Sequence, residues 1–204
     1  MEIHYTTDGS EPTATSPLYE KIVPVKEALT LKGATFAYGR QMGKTLILPV
    51  RWNLATAKPV LGTNPTEKLL TNGIRGSLKY SDFEWCSWAD NDSVSFTIDL
   101  LKPEMLNTLT LGCITNNGMA IHKPASVRVE VSDDNSKFRE AVVQSFTSEE
   151  IFREGNFIEN LSLKLGGTQA RYVRVTAKGP GVCPASHVRP GQTSRVFFDE
   201  VMLE

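Results

Sequence analysis

Seven residues set the terms for this chain: Val94-Ser95-Phe96-Thr97-Ile98-Asp99-Leu100 alternate apolar and polar without a break. A two-residue period places Val94, Phe96, Ile98 and Leu100 on one face, the signature of a half-buried strand. The pattern returns at short intervals. Residues 108–113, 126–132, 161–165, 172–177 and 196–203 read as further strands, separated by turn chemistry such as Asp133-Asp134-Asn135-Ser136. No long amphipathic helix intervenes, and residues 148–154 allow only one helical turn. This spacing predicts an all-β sandwich or jelly roll.

The segment leading into that first strand carries the surface chemistry. Thr71-Asn72-Gly73 is a turn signal, because Asn and Gly tolerate positive φ. A loop rich in aromatics follows, with Tyr80, Phe83, Trp85 and Trp88. Such a loop beside a rigid strand suits a rim that stacks on flat ligands.

The first part of the chain reads as a separate unit over 1–48. Residues 3–7 alternate and break at Asp8-Gly9, a hairpin signal; 22–25 and 28–37 read as strands, with turns near Lys32-Gly33 and Tyr38-Gly39. Residues 49–66, broken by Pro49, Pro59, Gly62 and Pro65, read as a linker and the start of a second domain covering 67–204. Trp52 is expected to pack between the two. Gly39-Arg40-Gln41-Met42-Gly43-Lys44-Thr45 imitates a phosphate-binding loop, but it has three residues between its glycines where that motif needs four. A strand pattern follows it instead of a helix, so it reads as a basic hairpin tip.

Bulk properties exclude several classes. With 204 residues and a formal net charge of −1, the chain has no electrostatic footprint for nucleic acid. No apolar run approaches the ~20 residues of a spanning helix, and the N-terminus does not read as a signal peptide. Met1 directly before a strand pattern suggests a piece cut from a longer protein, so the absence of an export signal here says little about the compartment. Cys86, Cys113 and Cys183 form no CxxC pair, so one disulfide and three free thiols both stay open.

Two resemblances sharpen this reading. The TTDGSEPT run followed by SPLY resembles the small fibronectin-III-associated domain near the C-termini of chitobiases and β-N-acetylhexosaminidases. That domain is longer, so its first strands are expected to be missing and an apolar face or sheet edge left uncovered. Further on, Asn53-Leu54-Ala55, LLTNGIRG, W-x-x-W, FTIDL, VRVEVSDDNSKF, ARYVRV and FFDEVMLE follow in the order of discoidin-like domains. These are the coagulation-factor type C domains and the family thirty-two carbohydrate-binding modules. The segment CPASHVRPGQTSRVFFDEV is similar to the tails of bacteroidal family-twenty glycoside hydrolases. The resemblance implies a partial immunoglobulin-like unit followed by a discoidin-type jelly roll, in a periplasmic, cell-surface or secreted protein.

For sugar binding, an aromatic face and a few fixed polar groups are needed. Tyr80, Trp85 and Trp88 offer faces, and Asn116, Asn117, His122, His187 and Arg189 offer polar groups in loops. Trp suits both cores and interfaces, so each tryptophan has a structural reading as well. By resemblance the ligands are terminal Gal, GalNAc or GlcNAc, and the chain is a non-catalytic accessory region beside a parent hexosaminidase catalytic domain. The alternative is a structural module that packs on that domain or on a protein partner and binds no sugar.

The resemblance also implies a structural calcium ion, for which Asn72, Ser77 and Glu200 would supply side-chain oxygens. The usual Thr-Asp-Gly is Thr71-Asn72-Gly73 here, one negative charge fewer; in the alternative, Glu200 pairs with Arg75. Asp90-Asn91-Asp92 lacks the glycine of an EF-hand loop. Cys183 and His187 alone are too few for zinc. Catalysis is not expected: the parent's barrel needs ~250 residues, and Asp199-Glu200, adjacent in a strand, should point to opposite faces.

Overall fold

The computed structural model describes residues 1–88 and 93–204, so Asp90-Asn91-Asp92 lies outside the described residues. Two units emerge, Met1–Trp52 and Asn53–Glu204.

In the first unit, β1 (Glu2–Thr6), β3 (Arg40–Gln41) and β4 (Leu46–Val50) all pair antiparallel with β2 (Leu29–Ala37). Two details differ from the sequence expectation. Gly33 sits in mid-strand, between Tyr5 and Leu46, and makes no turn. Residues 22–25 form no strand, because Pro24 has no N–H to donate to a ladder. The turn at Tyr38-Gly39 does form, with positive φ at both residues, and the glycine-lysine segment is a hairpin connection running into β4. One face of this sheet is open and apolar. Ile3, Tyr5, Tyr19, Ile22, Leu31 and Leu48 line a groove of about 410 Å³.

The boundary between the units also moves. β4 carries the first sheet to Val50, past residue 48. Most of the residues read as linker and start of the second domain lie within the second unit: Ala55 is in its core, and β5 (Val60–Leu61) pairs with β7 (Ser93–Asn116). Trp52 is 42% exposed.

The second unit is ordered β6 (Cys86–Trp88), β11 (Val196–Leu203), β7, β10 (Asn156–Lys178), β8 (Ser126–Ser132), β9 (Arg139–Ser145). β7 and β10 run 24 and 23 residues, and each serves both layers of a sandwich. Residues 108–116 of β7 pair with the first part of β10, and residues 109–113 also meet β11; residues 93–99 pair with the second part of β10, which also meets β8. Register shifts after Lys164 and Ala170 mark the crossing from one layer to the other. Val94, Phe96, Ile98 and Leu100 bury as their alternation predicted, facing Leu109, Leu111, Val129, Val175 and Phe198 in one core. The expected helical turn is α1 (Ser148–Ile151), held by a capping box between Thr147 and Glu150.

Candidate functional site

A second, smaller cluster lies apart from the main core. Trp85, Ile114, Ile121 and Phe197 bury together, and Tyr80, Met119 and Ile158 pack partly exposed against them. Its frame is local. Asn116 and Ile121 exchange backbone hydrogen bonds across a tight 3-10 turn, and Ala120 in that turn holds a left-handed φ of 52°. Ile121 pairs with Arg195, which carries the guanidinium to 5.6 Å above the Phe197 ring. Tyr80 meets the same Phe197 ring edge-on, centroids 6.2 Å apart.

The expected contact residues divide by this geometry. Tyr80 and Asn116 are half-exposed at the cluster. Trp85 is 5% exposed; its indole N–H donates to the Ser77 carbonyl at 3.0 Å, and its ring lies where Gly76 lacks a side chain. Trp88, three residues on, faces the other way. It stacks on Phe96, meets Phe198 edge-on and hydrogen-bonds Glu67 through its side chain. His122 and His187 are buried, and a buried ring offers no face to a sugar arriving from solvent. Arg189 is exposed, but its guanidinium is held by the Gly118 carbonyl and by Gln192. Asn117 is buried, and its Oδ1 has no hydrogen-bond partner.

Arg195 was missed by the sequence reading. It is half-exposed and forms no ion pair among the described residues, and its guanidinium lies over the same Phe197 ring that Tyr80 meets. Phe83 is 92% exposed, the one bare aromatic of the 80–88 loop. A partly exposed ring, a half-exposed guanidinium and a half-exposed amide around one cluster match the chemistry of a pyranose, apolar on one face and hydroxylated at its edge.

The calcium-related residues sit elsewhere, around residues 72–77. The alternation of β11 breaks between Phe198 and Val201, so Asp199 and Glu200 are both buried and both turned to the same loop. This corrects the opposite-faces expectation: a bulge adds one residue and resets the alternation. Asp199, not Glu200, takes Arg75. Glu200 Oε2 accepts the Gly73 N–H at 3.1 Å, while Oε1 is buried with no partner; burial pushes the carboxyl up to about 9. Asn72 Oδ1 is occupied by the Ile74 N–H, and Ser77 is exposed with its hydroxyl accepting from Lys79. Gly73 has φ +78°, but Asn72 is right-handed and ends a 3-10 turn. An orphaned buried carboxylate oxygen fits a calcium ligand, with Glu200 as its anchor and loop carbonyls in support.

The sequence model of the F5/8 type C domain matches residues 55–188. The chain belongs to the F5/8 type C domain family. Residues 1–46 match the chitobiase/beta-hexosaminidase C-terminal domain, and both matched types are accessory and non-catalytic. No curated protein sequence matches the chain. Among solved structures, CpGH89CBM32-6 of Clostridium perfringens is similar at 18% identity and TM-score 0.47, covering 75% of this chain and 98% of that one. The lectin domain of lectinolysin complexed with Lewis B antigen shows 15% identity and TM-score 0.48, covering 75% and 96%. The C-terminal domain of a chitobiase from Bacteroides fragilis shows 17% identity and TM-score 0.41, covering 67% and 78%. The F5/8 type C domain thus occupies the second unit, where the Tyr80–Phe197–Arg195 cluster lies.

Proposed function

We propose that this chain is a non-catalytic accessory region that binds terminal sugars of glycans, keeping a parent β-N-acetylhexosaminidase near its substrate at the cell surface or outside it. The observation that carries the reading is the shared seat of Tyr80 and Arg195 on Phe197, beside Asn116. Tyr80 supplies the stacking face. Arg195 and Asn116 supply donors and an acceptor for ring hydroxyls, and terminal Gal, GalNAc or GlcNAc are the expected ligands. A tether of this kind raises the effective concentration of substrate without adding chemistry. Calcium at Glu200 would hold the 72–77 loop, a structural role apart from the sugar.

The inward packing of Trp85 and Trp88 favours a second reading, in which the domain is a scaffold that packs on a catalytic domain or protein partner. A glycan-array screen of the chain separates the two. Binding to terminal hexosamine or galactose structures, lost in Tyr80→Ala and Arg195→Ala, supports the tether. Silence across a broad array supports the scaffold.

A further inference from the structure

His122 and His187, 65 residues apart in sequence, bring their Nε2 atoms to 3.2 Å. Cys183 joins them: one ligand atom from each of the three residues lies within 4.8 Å of the others, and all three residues are buried. The frame is specific. The His122 N–H donates to the Arg195 carbonyl, Cys183 closes its loop through Gln192 and Gly191, and the His187 N–H donates to Pro184. We propose that His122, Cys183 and His187 form a binding site for a soft divalent cation of the zinc class, which pins the 183–192 loop to residue 122.

The chemistry selects the ion. Two imidazoles and a thiolate suit zinc, whereas calcium and magnesium take oxygen. Zinc–nitrogen bonds of ~2.0–2.1 Å in tetrahedral geometry set nitrogens about 3.3 Å apart, close to the separation of the two rings. Three protein ligands leave the fourth position for water. His122 is fully buried, with its Nε2 turned to the His187 ring.

Loading must balance protons. The Arg189 N–H donates to His187 Nδ1 at 3.0 Å, so in the metal-free state His187 carries its proton on Nε2, pointing at His122 Nε2. On binding, the Cys183 thiol releases its proton to solvent. His187 exchanges tautomers, its Nε2 lone pair taking the metal and Nδ1 taking the proton. One proton leaves in total, and the Arg189 N–H loses its acceptor.

The test uses the tag-free chain after dialysis against chelator, titrated with cobalt(II) and then zinc. The expected result is a one-to-one complex with a thiolate-to-cobalt charge-transfer band, bleached by zinc, and a shift of the Arg189 amide in NMR spectra. Cys183→Ser and His187→Gln should each weaken zinc by more than ~100-fold, beyond the loss typical of a supporting partner. The wild-type band stands as a test even where a variant fails to fold. A folded chain that takes up no cobalt, or takes it without a sulfur band, overturns the site.

Discussion

Arg75 Nε donates to Asp199 Oδ2 across 2.6 Å, and the same oxygen accepts the Gly76 N–H at 2.9 Å. The other carboxylate oxygen takes the Glu200 N–H at 2.7 Å, so a fully buried anion has three donors. Gly112 on the neighbouring strand makes the room, since a Cβ there would overlap the pair. This knot ties the 73–76 loop to the C-terminal strand.

Breaking the knot should be costly. Removing one partner of a buried pair costs about 3–5 kcal/mol, and Arg75 is only slightly exposed. Asp199→Asn should therefore lower the urea unfolding free energy by about 3 kcal/mol, and Gly112→Ala should destabilise in the same direction. A loss under about 1 kcal/mol, the usual worth of an exposed pair, would show that the pair is not structural.

Calcium should bind through Glu200. Its addition should raise the thermal midpoint, as any ligand selective for the native state does; at 100 times Kd the gain is about 2.7 kcal/mol. Glu200→Gln should abolish the gain. An unchanged calcium response in that variant would move the ion away from Glu200.

Glu67 gives a pH signature. Its carboxyl is buried with Oε1 unpartnered, and burial raises it above its ordinary 4.5. Below 4.5 both states hold the proton, and the contribution to stability is full. As pH rises through 4.5 toward the raised native value, the unfolded state ionises first, so the contribution is lost. Unfolding free energy against pH should fall more steeply over that window in the wild type than in Glu67→Gln. Parallel curves would sink this assignment.

The cysteines should be slow to react. All three are free and buried, and burial raises each thiol, Cys86 to about 12. A thiol reagent should label the native chain slowly and all three sites rapidly in denaturant. Fast labelling of Cys86 or Cys113 under native conditions would contradict their burial.

Much of the fold was legible because strand patterning is local. The alternation from Val94 to Leu100 named its own buried face, and residues 126–132 and 196–203 matched β8 and β11. What was illegible depends on long-range meetings. The bulge at Asp199-Glu200 reversed a face assignment because an inserted residue resets the period. Burial of His122 follows from meeting His187, 65 residues away. Arg195 carried no motif; its position comes from pairing with Ile121. Trp85 and Trp88 were visible as aromatics, but their directions were decided by Gly76 and Glu67.

The most direct test of glycan binding is NMR titration of the chain with oligosaccharides ending in GlcNAc, GalNAc or Gal. The account predicts saturable shifts at Tyr80, Asn116 and Arg195, with Trp88 and the residue 72–77 loop unmoved. Shifts elsewhere on the domain, or none with any of the sugars, would contradict it.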